Sequence, residues 1–313
     1  MSNTTNALIV LANNSTNVRN HASPFEAKLY ASAWPLRALL AVSPKLAARA
    51  AAKAFFTTFR PPIRPDEAAL IAAFEPLSVP FGRARLPAWS YGSGPLVLLS
   101  HGWSGRGAQL APFAAALATA GFRAVIFDHP AHGDAIGTRT TLPEMRDALV
   151  AVDAWLGGAK AIVAHSMGTI LTTLGHALPR ASAASPLSPE RIVYIAPPVE
   201  PASWPRGFAR KLGLGEAIDL PMQRATERLA GVTLDSLDPR PVAKTLSTPL
   251  LIVHDRADRE VPFAAGEALA QMWRGSELVE TEGLGHIRVL RDGAVGERIL
   301  AFLAPLATGA ARS

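Results

Sequence analysis

The chain has 313 residues, of which 49% are hydrophobic and 18% are charged, and it contains no cysteine. This composition is typical of a globular protein rather than a disordered one, and the length allows one domain or one domain with an insertion. The lack of cysteine excludes disulfide bonds, thiolate metal ligands and a cysteine nucleophile.

The net charge of +6 is concentrated at the N-terminal end of the chain. Residues 1–65 sum to +7, so residues 66–313 sum to −1. Because a nucleic-acid-binding domain carries its basic side chains on the fold that reads the ligand, this near-neutral remainder argues against nucleic acid as a partner. The apolar run 7–12 is short and follows no positive charge, so no secretory signal is predicted and a cytoplasmic location is expected.

The first 78 residues differ from the rest of the chain in their pattern. Residues 1–24 form a polar leader, and residues 25–78 form a helical extension rich in alanine and leucine. Ser43 followed by Pro44 is a strong helix start, and the proline pair at 61–62 ends helical sequence.

Inside the helix that starts at Ser43, three basic residues recur every fourth position: Lys45, Arg49 and Lys53. Such a stripe is most simply a solvated helix face. Peripheral contact with anionic lipid is the alternative, since basic amphipathic helices bind membrane surfaces. A surface for a protein partner is the third interpretation of this stripe.

From residue 79 onward, strands alternate with helices. Short apolar strands separated by helices predict a mostly parallel sheet covered by helices on both faces, which is an α/β fold. Strands are predicted at 83–91, 95–100, 123–127, 161–165, 191–196, 249–253 and 277–281, and the first two are predicted to form a hairpin across Gly92-Ser93-Gly94. Helices are predicted at 108–120, 142–156, 167–177, 263–273 and 294–303.

The alternation breaks between two of these strands. Residues 198–245 are proline-rich and contain only short helical pieces, such as 222–230. An insertion at this place lies over the carboxyl ends of the strands, where open sheets bind ligands. We therefore expect a small helical cap over 198–245 of a domain that spans 79–313.

The sequence Ala164-His165-Ser166-Met167-Gly168 stands between a predicted strand and a predicted helix. Small residues around a serine allow the sharp turn that lifts its hydroxyl above a sheet, which makes Ser166 a candidate nucleophile. A serine hydroxyl needs a histidine base that is itself oriented by a carboxylate. Asp258 and His286 follow later strands, in that order. Asp255 is the rival acid, but it stands at the strand end and lacks the Val261-Pro262 context that follows Asp258.

Four motifs in succession resemble the α/β-hydrolase superfamily, of the serine esterase and lipase type. The resemblance covers the chain from about residue 80 to the end. Its motifs are the oxyanion-loop sequence His101-Gly102-Trp103, the loop 128–133, the turn 164–168, and the acid and base loops 258–262 and 285–286. Ala164 departs from the pattern, since the family usually has glycine there.

The resemblance implies an α/β-hydrolase fold and a Ser166, Asp258, His286 triad that cleaves a small-molecule carboxylic ester. Backbone N–H groups of Trp103 and Met167 would form the oxyanion hole. No cofactor and no metal is implied. The same triad could instead serve a thioester, a lactone, a carbon–carbon bond or acyl transfer, and a non-catalytic binding protein on this scaffold is the third hypothesis.

Other histidines near strand ends compete with His286 as the base. His165 precedes the turn and is expected to point away from Ser166, while His101 is expected to brace the oxyanion loop. His129, His132 and Asp134 are close enough in sequence to ligate zinc, but the glycine and proline of that loop favour a turn.

Overall fold

Strands of continuous apolar sequence form the centre of an eight-stranded sheet. The computed structural model describes residues 33–177 and 185–309, and the predicted leader lies outside them. In pairing order the strands are β1 (Glu75–Phe81), β2 (Ala84–Tyr91), β4 (Arg123–Phe127), β3 (Leu96–Ser100), β5 (Ala161–His165), β6 (Arg191–Ile195), β7 (Leu250–Asp255) and β8 (Ser276–Thr281). β2 is antiparallel to both neighbours, and the pairs from β4 to β8 are parallel. The predicted α/β class and mostly parallel sheet are confirmed.

The hairpin predicted between β2 and β3 is wrong. β2 pairs with β1 and β4, whereas β3 lies between β4 and β5. Every residue of β3 is buried, which suits an interior strand covered on both faces, while β2 alternates between buried and half-buried positions. The glycines after β2 mark a change of direction, but they do not determine which strand becomes the neighbour.

Helices cover both faces of the sheet. On one face α4 (Ala111–Thr119) and α12 (Gly293–Gly309) pack their apolar residues against alternate strand residues such as Leu99, Val163 and Val253. On the other face Tyr194 of β6 forms a 2.8 Å hydrogen bond to Thr173 of α6 (Met167–Gly175). The remaining helices of this layered unit are α3 (Pro65–Ile71), α5 (Leu142–Trp155), α9 (Arg240–Ala243), α10 (Phe263–Met272) and α11 (Gly285–Arg288).

A second compact unit contains residues 33–55 and 204–226, whereas residues 56–203 and 227–309 belong to the sheet unit. Its helices are α1 (Trp34–Val42), α2 (Pro44–Phe55), α7 (Trp204–Lys211) and α8 (Asp219–Ala230), of which the last crosses the boundary. Four buried alanines of α2 pack against Leu212, Ile218 and Met222. The sequence assigned these two segments to different regions, a helical extension and a cap. The Ser43 start of α2 is confirmed, since Leu46 N–H donates to Ser43 Oγ at 3.4 Å.

None of the described helices combines the length and the apolar content that crossing a bilayer requires.

Candidate active site

The carboxyl ends of β3 and β5 lie at the point where the strand order of the sheet reverses. From β3 the chain continues to β4 on one side, and it later returns to place β5 on the other side. Such a reversal leaves a crevice outside the strand ends, which is where open α/β sheets bind ligands. The loop that follows β3 and the turn that follows β5 therefore meet at one site.

Ser166 occupies a strained turn between β5 and α6. Its φ of 51° and ψ of −121° lie outside the regions that a side-chain-bearing residue prefers. The turn is fixed by a 2.9 Å hydrogen bond from Ser166 N–H to Ile195 O. At Gly168 a Cβ atom would lie 2.6 Å from Ser100 O, so only glycine lets the first turn of α6 approach the end of β3. Ala164 is fully buried in β5, so its methyl group is accommodated.

Asp258 lies in the loop that follows β7, and His286 lies in α11, the short helix that follows β8. His286 Nδ1 and Asp258 Oδ2 are 2.7 Å apart, and both residues are buried. This distance is that of a strong, charge-assisted hydrogen bond. A carboxylate accepts hydrogen bonds only, so the proton lies on Nδ1 and Nε2 of the neutral ring is left as a base.

The Asp258 carboxylate is held by more than His286. Its Oδ1 atom accepts backbone N–H bonds from Glu260 at 2.8 Å and Val261 at 2.9 Å. His254 Nε2 lies 3.6 Å from Oδ2 and donates its shorter bond, 3.1 Å, to Val261 O. Burial acts to raise the pKa of Asp258, but these donors outweigh it and hold the pKa well below its usual value. Asp258 is therefore a carboxylate across the neutral pH range.

Asp255, the rival acid, has a structural environment. Its carboxylate accepts bonds from Ala257 N–H at 2.9 Å, Thr281 Oγ at 2.8 Å and Leu284 N–H at 2.9 Å. These bonds join the ends of β7 and β8 and shape the loop that carries His286. The structure therefore pairs His286 with Asp258 and not with Asp255.

His165 connects the Ser166 turn to the His286 loop. Its Nε2–H donates to His286 O at 3.0 Å, and the two rings lie 4.7 Å apart. Burial lowers the pKa of His165 to about 3, so the ring is neutral. Within the described residues no hydrogen bond joins the Ser166 hydroxyl to His286, and such bonds commonly tighten only when substrate is bound.

The backbone N–H of Trp103 lies in the loop that follows β3, and the backbone N–H of Met167 lies at the start of α6. Met167 is the first residue of α6, where the positive end of the helix dipole lies. The Trp103 loop passes close to the turn, since a Cβ atom at Gly102 would lie 3.0 Å from Ser166 Cβ. The Trp103 indole packs on the His132 ring with centroids 5.2 Å apart.

Three histidines form a buried cluster beneath this loop. His101 Nδ1–H donates to Gly102 O at 2.7 Å, and its Nε2 accepts from His129 N–H at 3.1 Å. His132 Nδ1–H donates to Pro130 O at 2.9 Å. Burial lowers the pKa values of all three rings, that of His132 to about 4. They are therefore neutral supports, and both nitrogens of His101 are already engaged.

The loop considered as a zinc site is organised around Asp128 instead. Asp128 accepts 2.7 Å bonds from the N–H groups of Gly107 and Asp134, and burial raises its pKa to about 6. The Asp134 carboxylate faces Arg106 at 3.9 Å and is 65% exposed. Among residues 33–177 and 185–309, no three His, Cys, Asp or Glu side chains are grouped as metal ligands.

Sequence reasoning missed a segment that supports the loop after β3 and the loop after β4. Residues 56–61 were included in the helical extension, but they hydrogen bond to the loops that follow β3 and β4. Phe59 N–H donates to Ser104 Oγ at 3.0 Å, Thr58 Oγ donates to Ala131 O at 2.5 Å, and Arg106 donates to Pro61 O at 2.6 Å. These bonds are long-range in sequence, and no local pattern predicts them.

Glu260 was also missed. Its carboxylate lies 3.8 Å from His286 Nε2, and its side chain is 65% exposed. The only sequence signal is its place two residues after Asp258, in the loop that holds the acid. A carboxylate at this distance stabilises a protonated His286 ring through partly screened attraction.

Comparison with family models decides which family the fold and the site belong to. The model described as "Alpha/beta hydrolase family" matches residues 96–298, which is well over half of the chain. The chain belongs to the alpha/beta hydrolase family. The matched region of this hydrolase includes Trp103, Ser166, Asp258 and His286, and the membership supports an enzyme with hydrolytic activity.

Solved structures share the fold of this hydrolase at low sequence identity. The lip1 protein of Acinetobacter baumannii has a TM-score of 0.59 and 19% identity, over 78% of this chain and 95% of its own. A thermophilic esterase from Thermogutta terrifontis has a TM-score of 0.55 and 18% identity, over 74% of this chain and 99% of its own. A bromoperoxidase from Bacillus anthracis has a TM-score of 0.54 and 17% identity, over 73% of this chain and 99% of its own. A search of curated proteins found no match. At these identities the likeness shows the fold alone.

Proposed function

We propose that this chain is a serine hydrolase of carboxylic esters, with Ser166 as nucleophile, His286 as base and Asp258 as the acid that orients it. The observation that carries the proposal is the 2.7 Å bond between His286 Nδ1 and Asp258 Oδ2, together with a serine of φ 51° in the turn at the reversal point of the sheet. A buried histidine with a fixed tautomer, whose Nε2 can still accept a proton, is what a serine needs for activation.

The proposed reaction has two halves that share one base. In the first, His286 Nε2 takes the Ser166 proton as Oγ attacks the ester carbonyl carbon, and it then gives that proton to the departing alcohol. In the second, His286 takes a proton from water, whose oxygen attacks the acyl-enzyme, and returns it to Ser166 as the acid leaves. Asp258 remains ionised and stabilises the imidazolium in both halves.

Negative charge on the former carbonyl oxygen is stabilised by the N–H groups of Trp103 and Met167 in this proposal. Each such donor contributes about 3 kcal/mol to the transition state. Met167 is the first residue of α6, so the positive end of that helix dipole also stabilises the oxyanion. These contacts depend on backbone atoms, so they tolerate a change of side chain at either position.

Ester hydrolysis by a Ser166→Ala variant tests the proposal. We expect the wild type to hydrolyse p-nitrophenyl esters within a series of acyl chain lengths, and we expect Ser166→Ala to lose at least about a thousandfold in kcat/KM. Ser93→Ala is the matched control, since Ser93 is an exposed serine in the turn after β2. Thioester and lactone substrates measured in parallel define the acyl class.

Two results would contradict the proposed function. Turnover by Ser166→Ala within tenfold of the wild type would exclude Ser166 as the nucleophile. A folded wild-type protein that hydrolyses no ester, thioester or lactone in the series would also overturn the proposal.

A further inference from the structure

The outward face of α1 is apolar although it is exposed. Trp34 is 70% exposed and Val42 is 82% exposed, and Pro35, Ala38 and Ala41 are exposed with them. The inward face is apolar as well, because Leu36, Leu39 and Leu40 pack against the core of the unit formed by 33–55 and 204–226. Arg37 is the one charged residue of α1, and its Nε–H donates to Leu212 O at 2.9 Å. The rest of the helix is apolar, and apolar helices are normally buried, yet no residue of α1 is fully buried.

The next helix exposes positive charge. Ser43 joins α1 to α2, whose four buried alanines face the core of the unit. The opposite face of α2 exposes Lys45, Leu46, Arg49 and Lys53, so an apolar side chain lies among basic ones. Within the described residues, no carboxylate lies within ion-pair distance of Lys45 or Arg49.

The charge of the whole chain is concentrated in this unit. Its described residues, 33–55 and 204–226, contain eight Lys or Arg and two Asp or Glu, which gives +6. This equals the net charge of the full sequence, so all other residues together sum to zero. Residues 33–55 contain no acidic residue at all.

We infer that α1 and α2 form a docking surface for an anionic phospholipid bilayer. Exposed Trp34 and Val42 would enter the boundary between headgroups and acyl chains, while Lys45 and Arg49 would face the lipid phosphates. Interfacial helices combine tryptophan and aliphatic residues with lysine and arginine in this way. A second copy of the chain is the poorer occupant, because it would bring a second unit of charge +6 against the first.

The inference is tested with the full-length protein and two kinds of vesicle, phosphatidylcholine alone and phosphatidylcholine mixed with phosphatidylglycerol. We expect co-sedimentation with the mixed vesicles in low salt, weak binding to the neutral vesicles, and weaker binding in high salt because the Debye length shortens. The double variant Lys45→Gln, Arg49→Gln should bind the mixed vesicles about 30-fold less tightly, since each basic residue near an anionic surface contributes about 1 kcal/mol.

Two further variants separate this surface from non-specific attraction. Trp34→Ser with Val42→Ser should reduce binding about tenfold or more while the charge is unchanged. Arg83→Gln with Arg274→Gln removes two positive charges from exposed positions of the sheet unit, and it should bind as the wild type does. Circular dichroism and thermal unfolding check that each variant is folded.

Three results would overturn the inference. The first is a wild type that does not bind mixed vesicles in low salt. The second is equal loss of binding in the Lys45, Arg49 and the Arg83, Arg274 variants, which would indicate a response to net charge alone. The third is a dimer in solution that becomes a monomer in the Trp34, Val42 variant while vesicle binding persists, which would identify a second copy as the occupant.

Discussion

The two oxygens of the Asp258 carboxylate have different tasks. Oδ1 accepts the N–H groups of Glu260 and Val261, which fixes the carboxylate to its own loop. Oδ2 faces His286 Nδ1 at 2.7 Å, with His254 Nε2 at 3.6 Å. Because both oxygens accept hydrogen bonds, the same contacts fix the position of the carboxylate and keep it ionised.

Asp258→Asn should therefore impair catalysis more than stability. An asparagine NH₂ group that faces His286 requires Nδ1 to accept, which moves the ring proton to Nε2 and removes the base. We expect kcat for a p-nitrophenyl ester to fall by about 10⁴. Asp235→Asn is the matched control, since Asp235 is exposed. A decrease of less than tenfold for Asp258→Asn in folded protein would show that Asp258 does not orient the base.

At the scale of elements, the loop after β4 depends on Gly133, the last residue of the 128–133 motif. Gly133 has a φ of +46°, and a Cβ atom there would lie 2.1 Å from Asp128 Oδ2. The same carboxylate accepts the N–H groups of Gly107 and Asp134, and it thus joins the loop after β4 to the residues that lead into α4.

Gly133→Ala should consequently lower stability more than an alanine at another left-handed glycine. The control is Gly82→Ala, which has a φ of +56° but no atom within 4 Å of the added Cβ. Both variants have the backbone strain, and only Gly133→Ala displaces the Asp128 carboxylate. We expect roughly 2 kcal/mol of additional destabilisation from its lost hydrogen bonds, measured by urea unfolding. Equal stabilities of the two variants would contradict this account of the loop.

The sequence predicted the interior strands well for a physical reason. β3, β5 and β7 are buried at every residue, and their sequences are apolar up to the last one or two residues. β1 was not predicted, because two prolines interrupt it and only Val79 is buried. The order of Ser166, Asp258 and His286 could be read along the chain. The bonds from residues 56–61 to the loops after β3 and β4 could not, since they join residues more than 40 positions apart.

For the whole molecule, the distribution of titratable groups predicts a loss of stability in mild acid. Burial lowers the pKa values of His101, His129, His132, His165 and His176 below 6.5. The unfolded chain binds protons at these histidines below about pH 6.5 and the native protein does not, so stability falls as the pH decreases toward the native values. His132 alone accounts for about 3 kcal/mol at pH 4.

Two carboxylates act in the opposite direction. The pKa of Asp128 is raised to about 6 and that of Asp153 is also raised, so their protonation favours the native state as the pH falls through about 6 to 4. The five histidines outnumber them, and we expect the unfolding temperature to fall from pH 7 to pH 4.5. His132→Phe should show a smaller decrease over this interval. An unfolding temperature that is constant from pH 7 to pH 4.5 would contradict the neutral state of the buried histidines.

Covalent trapping of Ser166 tests the central claim most directly. A fluorophosphonate reacts only with a serine that a neighbouring base activates, and the adduct is located by mass spectrometry of peptides. We predict one modified residue, Ser166, with labelling lost in Ser166→Ala and strongly slowed in Asp258→Asn and His286→Ala. Absence of an adduct on folded wild-type protein, or an adduct that forms at the same rate without His286, would contradict it.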